Sequence, residues 1–303
     1  MGITEDHGNG LRTSSLSRVA LNPLSWYLTA DGFRPELAPP LEEVYRQVRE
    51  AGFKAVHIEQ PESMTVAEYS GLLARSGLAP APGYFQAPFS ESDRLPGVLE
   101  AARRVAAQHA ALGLDRLFIA ERFGDPARLS SPGQGIGHDS ARLGVMIENI
   151  RLVARAMVEE GVTPCLHQHV GTLIETPEET ERVPAEIEAG LLLLGPDTGH
   201  LAWAGANPAE FVRRYADRVG AVHLKDIRLD VARRGKDLGE DYWQIAKHHL
   251  WTEPGRGDLQ LDKVVAALNG FDGWFVVEVD IADQPTPVES AVASWKWCEA
   301  HLV

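Results

Sequence analysis

The stretch Leu191–Asp226 reads LLLLGPDTGHLAWAGANPAEFVRRYADRVGAVHLKD. It contains an apolar run at Leu191–Leu194, an amphipathic segment at Pro208–Arg218 and a second apolar run at Ala221–Lys225. This pattern predicts one strand–helix–strand unit. Asn207 stands just before the amphipathic segment, where its side-chain oxygen can cap the first turn of a helix that begins with proline. Repetition of this unit along the chain predicts the fold.

The same alternation continues on both sides of that stretch. The predicted strands are Val19–Trp26, Lys54–Glu59, Leu78–Phe85, Arg116–Glu121, Thr163–His169, Leu191–Leu194, Ala221–Lys225 and Trp274–Val279. The predicted helices are Leu41–Ala51, Val66–Ser76, Arg94–Leu112, Ala141–Glu160, Pro177–Ala189, Pro208–Arg218, Leu261–Leu268 and Pro287–Ala300. Such alternation predicts an α/β protein with a single (β/α)₈ TIM barrel. The alternative is an open doubly wound sheet, which more often carries a glycine-rich phosphate loop after its first strand. Residues 27–30 contain no glycine, which favours the barrel.

Composition and charge exclude several classes of protein. The chain has 303 residues, 44% of them hydrophobic, and a net charge of −14, which argues against a nucleic-acid partner. No apolar stretch approaches the roughly 18 residues of a membrane helix. Two cysteines are too few for a disulfide framework, so we expect a cytoplasmic protein. Residues 1–17 are polar and are expected to form a flexible tail, with the barrel domain spanning residues 18–303.

Polar side chains recur at the ends of the predicted strands. They are His167, His169, Asp197, His200, His223 and Glu278. The carboxyl ends of barrel strands converge on one pocket, so these side chains are expected to meet there. A mixed set of imidazoles and carboxylates suits Mn²⁺, Fe²⁺, Co²⁺ or Zn²⁺ better than Ca²⁺ or Mg²⁺. A polar barrel mouth without a metal is the alternative.

Several motifs resemble one superfamily. Asp197-Thr198-Gly199-His200 and His223-Leu224-Lys225-Asp226, followed by Pro254–Asp258 and Gly273–Glu278, look like the xylose-isomerase-like sugar phosphate isomerase/epimerase superfamily. Two further segments, Asn22–Trp26 and His167–Thr172, are similar to its inosose dehydratase branch. The resemblance covers roughly residues 18 to 300.

The resemblance implies a TIM barrel that holds one divalent ion, with Mn²⁺ favoured over Co²⁺, Fe²⁺ or Zn²⁺. Carried over by position, Asp197, His223 and Glu278 match three ligands. His167 stands where the superfamily usually has glutamate, and it is the fourth predicted ligand. His200 matches a histidine that contacts substrate, and Lys225 follows the metal-binding histidine and is a predicted substrate contact.

The ligand set leads to a functional hypothesis. Epimerases of the superfamily use two carboxylates on opposite faces of the substrate, and His167 leaves only Glu278 of that pair. We therefore predict a metal-dependent lyase that dehydrates an inosose-like polyhydroxy ketone, with Glu278 as base and His169 and His200 as acid–base or hydroxyl contacts. A sugar or inosose isomerase or epimerase with the same enediolate chemistry is the alternative. An endonuclease is disfavoured by the acidic charge, and a non-catalytic sugar-binding barrel remains open.

Other residues are candidates for contacts with a small polyol or sugar ketone. Trp26 could stack on a sugar ring or pack in the core, Glu121 could bind hydroxyls or an arginine, and Arg256 could contact substrate or fix its loop. His57 and Glu59 on the second strand are further candidates. The long connections Arg122–His138 and Asp226–Asp258 are candidates for lids or subunit contacts. Aromatic residues in the second connection, if exposed, would suit a homodimer. The six glutamates between residues 175 and 188 are predicted to form a solvated helix face.

Overall fold

The computed structural model describes residues 18–302, so the predicted tail of residues 1–17 lies outside the described residues. The barrel strands are β1 (Val19–Leu21), β2 (Ala55–His57), β3 (Ala79–Ala81 continued by Tyr84–Ala87), β4 (Arg116–Glu121), β5 (Thr163–Leu166), β6 (Leu193–Leu194), β7 (Ala221–Leu224) and β8 (Trp274–Val277). All their pairings are parallel. The predicted TIM barrel is confirmed.

Helices alternate with these strands and cover the outside of the barrel. They are α1 (Leu41–Glu50), α2 (Val66–Ser76), α3 (Leu95–Ala111), α4 (Pro126–Ser130), α5 (Ser140–Glu159), α6 (Pro177–Glu186), α7 (Thr198–Trp203), α8 (Pro208–Arg214), α9 (Leu229–Leu238), α10 (Tyr242–Ala246), α11 (Leu261–Ala267) and α12 (Pro287–His301). Asn207 caps α8 as predicted, accepting hydrogen bonds from the amides of Ala209 and Glu210. At α6, Thr176 and Glu179 form a reciprocal capping box.

The barrel closes along two kinds of contact. β1 pairs with β8, with Val19 opposite Phe275, and β8 pairs with β7. Between β6 and β7 the pairing is reduced to isolated bridges, Leu194 with Val219 and Asp197 with His223. The amide of Gly220 donates to Leu194 and that of His223 donates to the Pro196 carbonyl, at 2.9 and 3.0 Å. We call this thin joint the β6–β7 seam.

Two of the observed strands end at least three residues earlier than predicted. The first was expected to reach Trp26, but it ends at Leu21 and a 3₁₀ helix spans Pro23–Trp26. Proline has no amide hydrogen to donate to a neighbouring strand, which favours the end of pairing there. The fifth strand was expected to reach His169, but it ends at Leu166. His167 and His169 therefore lie on the loop that leaves the strand.

Strand β3 is interrupted at Pro82 and Gly83. Its first segment pairs with β2 and its second segment pairs with β4, so the sheet divides at this point. His109 at the end of α3 fills the interruption, because its Nε2 accepts a hydrogen bond from the Gly83 amide at 3.1 Å. A Cβ atom on Gly83 would lie 2.5 Å from the Ile58 carbonyl oxygen, so the close approach requires glycine.

Both long connections contain ordered elements. The connection after β4 contains α4. The connection after β7 contains α9 and α10, and its two ends form a short antiparallel pair, Asp226–Ile227 with Trp251–Thr252. Tyr242 and Trp251 are buried in an apolar cluster with Trp203 and Val170. The expectation of exposed aromatic residues here is therefore wrong for these two, because their rings cover the top of the barrel.

Two of the six glutamates are not solvated. Glu175 and Glu179 are buried and paired with the buried guanidinium of Arg128, at 2.9 and 2.6 Å. Glu175 also accepts hydrogen bonds from the amides of Gly133, Gly135 and Gly171. This buried cluster joins the connection after β4 to the loop that carries His169.

Across residues 18–302, every helix is too short or too polar to span a lipid bilayer.

Candidate functional site

Three predicted ligands meet at the carboxyl end of the barrel. One potential ligand atom from each of His167, Asp197 and His223 lies within 4.8 Å of the other two, and all three residues are buried. His167 follows β5, Asp197 follows β6, and His223 lies within β7. Convergence of strand ends therefore produces the predicted meeting of these side chains.

Four polar atoms of these side chains lack hydrogen-bond partners. His167 Nδ1, Asp197 Oδ2 and both ring nitrogens of His223 are buried without one. Burying such atoms without a partner costs about 1–3 kcal/mol each. Two imidazoles and a carboxylate are ligands that Mn²⁺, Fe²⁺, Co²⁺ and Zn²⁺ accept. The donor set therefore fits a divalent ion.

A buried ammonium group lies beside this set. Lys225 Nζ is 2.6 Å from Glu278 Oε1, 2.6 Å from Asp280 Oδ1 and 3.3 Å from Asp197 Oδ2. Asn22 donates a hydrogen bond to Glu278 Oε2, which also lies 3.3 Å from His223 Nδ1. Three carboxylates thus face one ammonium, and a divalent cation would bring these charges into balance.

The pKa values follow from this crowding. Burial lowers the pKa of His167 well below its usual range and lowers that of His223 to about 4, so both imidazoles are neutral with lone pairs to share. Burial raises the pKa of Asp197 to about 7 against the attraction of Lys225. Burial also opposes ionisation of Glu278, but the neighbouring ammonium of Lys225 outweighs it and holds the pKa of Glu278 well below the usual range.

His169 and His200 differ in what they can reach. Their rings are in contact, with centroids 3.7 Å apart and ring planes tilted by 38°. His169 Nδ1 lies 2.7 Å from the Val170 carbonyl, which fixes the proton on Nδ1 and leaves a lone pair on Nε2. His200 is fully buried, with Nε2 3.3 Å from Lys225 Nζ. His169 is therefore placed to touch a ligand, and His200 is placed to hold Lys225.

A cavity of about 630 Å³ opens onto this centre. His167, His169, Glu278 and Asp280 contribute to its wall, together with Tyr242 and other residues. The volume lies within the range of about 300–1,000 Å³ that is typical of small-molecule sites.

The four predicted substrate contacts lie away from the cavity wall, and one of them, Lys225, is buried against Glu278 and Asp280. Trp26 is buried and donates its ring N–H to Gln47 of α1 at 2.7 Å, so it packs the barrel wall. Glu121 accepts hydrogen bonds from the Phe89 amide and the Ser90 hydroxyl, and burial raises its pKa to about 7. Arg256 is half-exposed, 3.7 Å from Glu253. None of Trp26, Glu121, Lys225 and Arg256 lines the described cavity.

Asn22, Tyr242 and Asp280 are among the cavity-lining residues that were not predicted from the sequence. Asn22 directly follows β1, and Asp280 stands two residues after Glu278. Their positions at strand ends could therefore have predicted that both face the pocket. Tyr242 lies in the long connection after β7, where the sequence pattern does not indicate which side chains face the barrel.

The fold and the site define a class of protein. Residues 45–301 match the family described as xylose isomerase-like TIM barrel, and the chain belongs to that family. Among individual proteins, the chain is 27% identical over 277 residues to inosose dehydratase of Geobacillus kaustophilus, covering 89% of each chain. It is 28% identical over 289 residues to rhizopine catabolism protein MocC of Rhizobium meliloti, covering 91% of this chain and 85% of the relative. The predicted resemblance is confirmed, and relatives of the chain are enzymes.

A solved structure supports the fold. A xylose isomerase-like TIM barrel protein from Mycobacterium smegmatis in complex with magnesium superposes with a TM-score of 0.69. It is 19% identical and the match covers 95% of this chain and 98% of that chain. At this identity the likeness bears on the fold alone.

Proposed function

We propose that this protein is a divalent-metal-dependent lyase that dehydrates an inosose-like polyhydroxy ketone. The observation that carries the proposal is the buried set His167, Asp197 and His223, four of whose polar atoms lack hydrogen-bond partners beside a cavity of about 630 Å³. The inosose dehydratase relative supports the substrate class. Mn²⁺ is the ion we favour, and a small polyol ketone is the occupant.

The residues that would hold the ion are His167, Asp197 and His223, with Glu278 as the fourth ligand. Glu278 Oε2 lies 3.3 Å from His223 Nδ1, which brings its carboxylate to the edge of the set. When bound, the ion would polarise the ketone and make the neighbouring C–H group more acidic.

The chain offers two groups for taking the α-proton, Glu278 and His169. Both oxygens of Glu278 already have partners in Lys225 and Asn22. The pKa does not separate the two groups, because burial lowers the pKa of His169 to about 3 and that of Glu278 is also held low. His169 Nε2 keeps a lone pair and its ring lines the cavity. We therefore assign the base to His169 rather than to Glu278, and Glu278 to the charge balance of the site.

Elimination of water requires two proton transfers, and His169 carries out both. His169 Nε2 takes the α-proton, the electrons of the C–H bond form a C=C bond, and the bond to the β-hydroxyl breaks. The imidazolium formed at His169 then gives its proton to the departing hydroxyl, which leaves as water. His200 and Asp280 act on Lys225, which they hold against Glu278.

The test is incubation with 2-keto-myo-inositol and Mn²⁺, followed by ultraviolet absorbance and proton NMR in D₂O. We expect an ultraviolet-absorbing 2-hydroxy enone, which is the enol form of a 1,2-diketone. Exchange of the α-proton without loss of water would instead identify an isomerase or epimerase. Binding of the ketone with neither exchange nor absorbance would identify a non-catalytic barrel.

A further inference from the structure

A second cavity adjoins the first and has no part in the proposed reaction. Its volume is about 410 Å³, and it lies between the 3₁₀ helix after β1 and the loop after β2. The two cavities share wall residues, among them Phe33, His57, Glu59 and Gln60. A molecule bound at the metal ligands can therefore continue into the second cavity.

The wall of the second cavity combines ring faces with polar groups. Tyr27 and Phe33 present rings whose centroids are 6.4 Å apart, and several prolines complete the apolar surface. Glu59 adds a carboxylate, and among the described wall residues there is neither lysine nor arginine. Aromatic faces beside a carboxylate suit a sugar ring, whose C–H faces stack and whose hydroxyls donate hydrogen bonds, whereas a phosphate would meet no positive charge.

The junction of the two cavities has unsatisfied polar atoms. His57 is 5% exposed and its Nδ1 has no hydrogen-bond partner. Gln60 donates to the Met64 carbonyl, which leaves its Oε1 buried without a partner. Both residues line both cavities. Such atoms indicate that a polar molecule, rather than an apolar one, crosses the junction.

We infer that the second cavity binds a second sugar ring attached to the reacting polyol, so that the substrate is a glycosylated polyhydroxy ketone. The inference rests on the proposed function, since it takes the ketone at the metal ligands as given. The first ring occupies the cavity beside His169, and the second lies against Phe33 and Tyr27 with its hydroxyls toward Glu59.

The test compares the binding of two unreactive probes by isothermal titration calorimetry, using the full chain with Mn²⁺. The probes are myo-inositol and galactinol, which is myo-inositol carrying a galactosyl ring. We expect galactinol to bind about tenfold more tightly. Tyr27 lines the second cavity but not the first, so Tyr27→Ala should remove most of that difference without changing the affinity for myo-inositol. Leu37→Ala is the matched control, because Leu37 is 63% exposed in the same connection and lines neither cavity.

The outcomes separate this inference from the proposed function. Equal binding of the two probes, in protein that dehydrates 2-keto-myo-inositol, overturns the second-ring site alone. An unchanged preference for galactinol in Tyr27→Ala also overturns it. Failure of both probes to bind, together with no turnover of the ketone, overturns the proposed function and this inference with it.

Discussion

Asp197 has two separate roles at the level of single atoms. Its Oδ1 accepts a hydrogen bond from the His200 amide at 2.8 Å and caps α7, while its Oδ2 is the buried oxygen without a hydrogen-bond partner. Asp197→Asn keeps an oxygen for the cap but removes the charge from the ligand set. We expect affinity for Mn²⁺ to fall by more than about 100-fold, which calorimetry and elemental analysis measure.

Asp139 provides the control for this variant. It caps α5 through the amides of Ala141 and Arg142 and lines neither cavity, so Asp139→Asn should leave metal content unchanged. Full metal occupancy in Asp197→Asn would show that Asp197 is not a ligand.

The identity of the base is a second question at this scale. Glu278→Gln and His169→Asn differ in what they remove: a charge paired with Lys225 in the first case, and a lone pair that faces the cavity in the second. We expect His169→Asn to keep the metal and lose α-proton exchange by about 10²–10⁴-fold. Glu278→Gln should bind metal more weakly but still exchange when saturated. The reverse pattern in D₂O would return the base to Glu278.

Among the elements, the interrupted strand β3 depends on a neutral histidine. Burial lowers the pKa of His109 to about 4, and its Nε2 accepts from Gly83 only when unprotonated. The stability that this provides is present above the unfolded pKa near 6.5 and is lost as the pH falls through 6.5 toward 4. Over that window, we expect the free energy of unfolding, measured in urea, to fall by up to about 3 kcal/mol more for the native protein than for His109→Gln. Parallel stability curves for the two proteins would contradict this role.

The connection after β4 is held by the buried Arg128. Breaking a buried ion pair by removing one partner leaves uncompensated charge, so Arg128→Met should lower the free energy of unfolding by about 3–5 kcal/mol. Arg122 is the control in the same connection, since it pairs with Glu91 at half-exposure and Arg122→Met should cost at most about 1 kcal/mol. Equal urea midpoints for the two variants would show that the cluster adds no stability.

The sequence predicted elements better than it predicted contacts. β4 and α2 have the predicted bounds because apolar periodicity and capping are local signals. His167, Asp197 and His223 were predicted to meet because barrel topology brings strand ends together. The burial of Glu175 and Glu179 was missed, since their partner Arg128 is 47 and 51 residues away in the chain. The position of Trp26 depended on where pairing with β8 stops, which local pattern does not specify.

For the molecule as a whole, the β6–β7 seam and the metal ligands coincide. Asp197 and His223 form one of the bridges of the seam, so an ion held by both would join its two sides. We expect amide hydrogens of Gly220 and His223 to exchange faster than those of Phe118–Glu121 in metal-free protein, because few hydrogen bonds close the seam. Saturating Mn²⁺ should slow the seam amides and raise the melting temperature. Hydrogen exchange measured by mass spectrometry tests this prediction. If Mn²⁺ leaves exchange at the seam unchanged, the ion does not stabilise the closure of the barrel.

The pairing of β1 with β8 has a consequence for biosynthesis. Val19 is opposite Phe275, so β1 finds one of its two neighbours only after more than 250 further residues have been synthesised. While the ribosome is still adding residues, β1 can pair with β2 but must leave its other edge without hydrogen bonds. Nascent chains that stall before Trp274 would therefore expose a strand edge, which is a surface that chaperones and aggregating chains recognise.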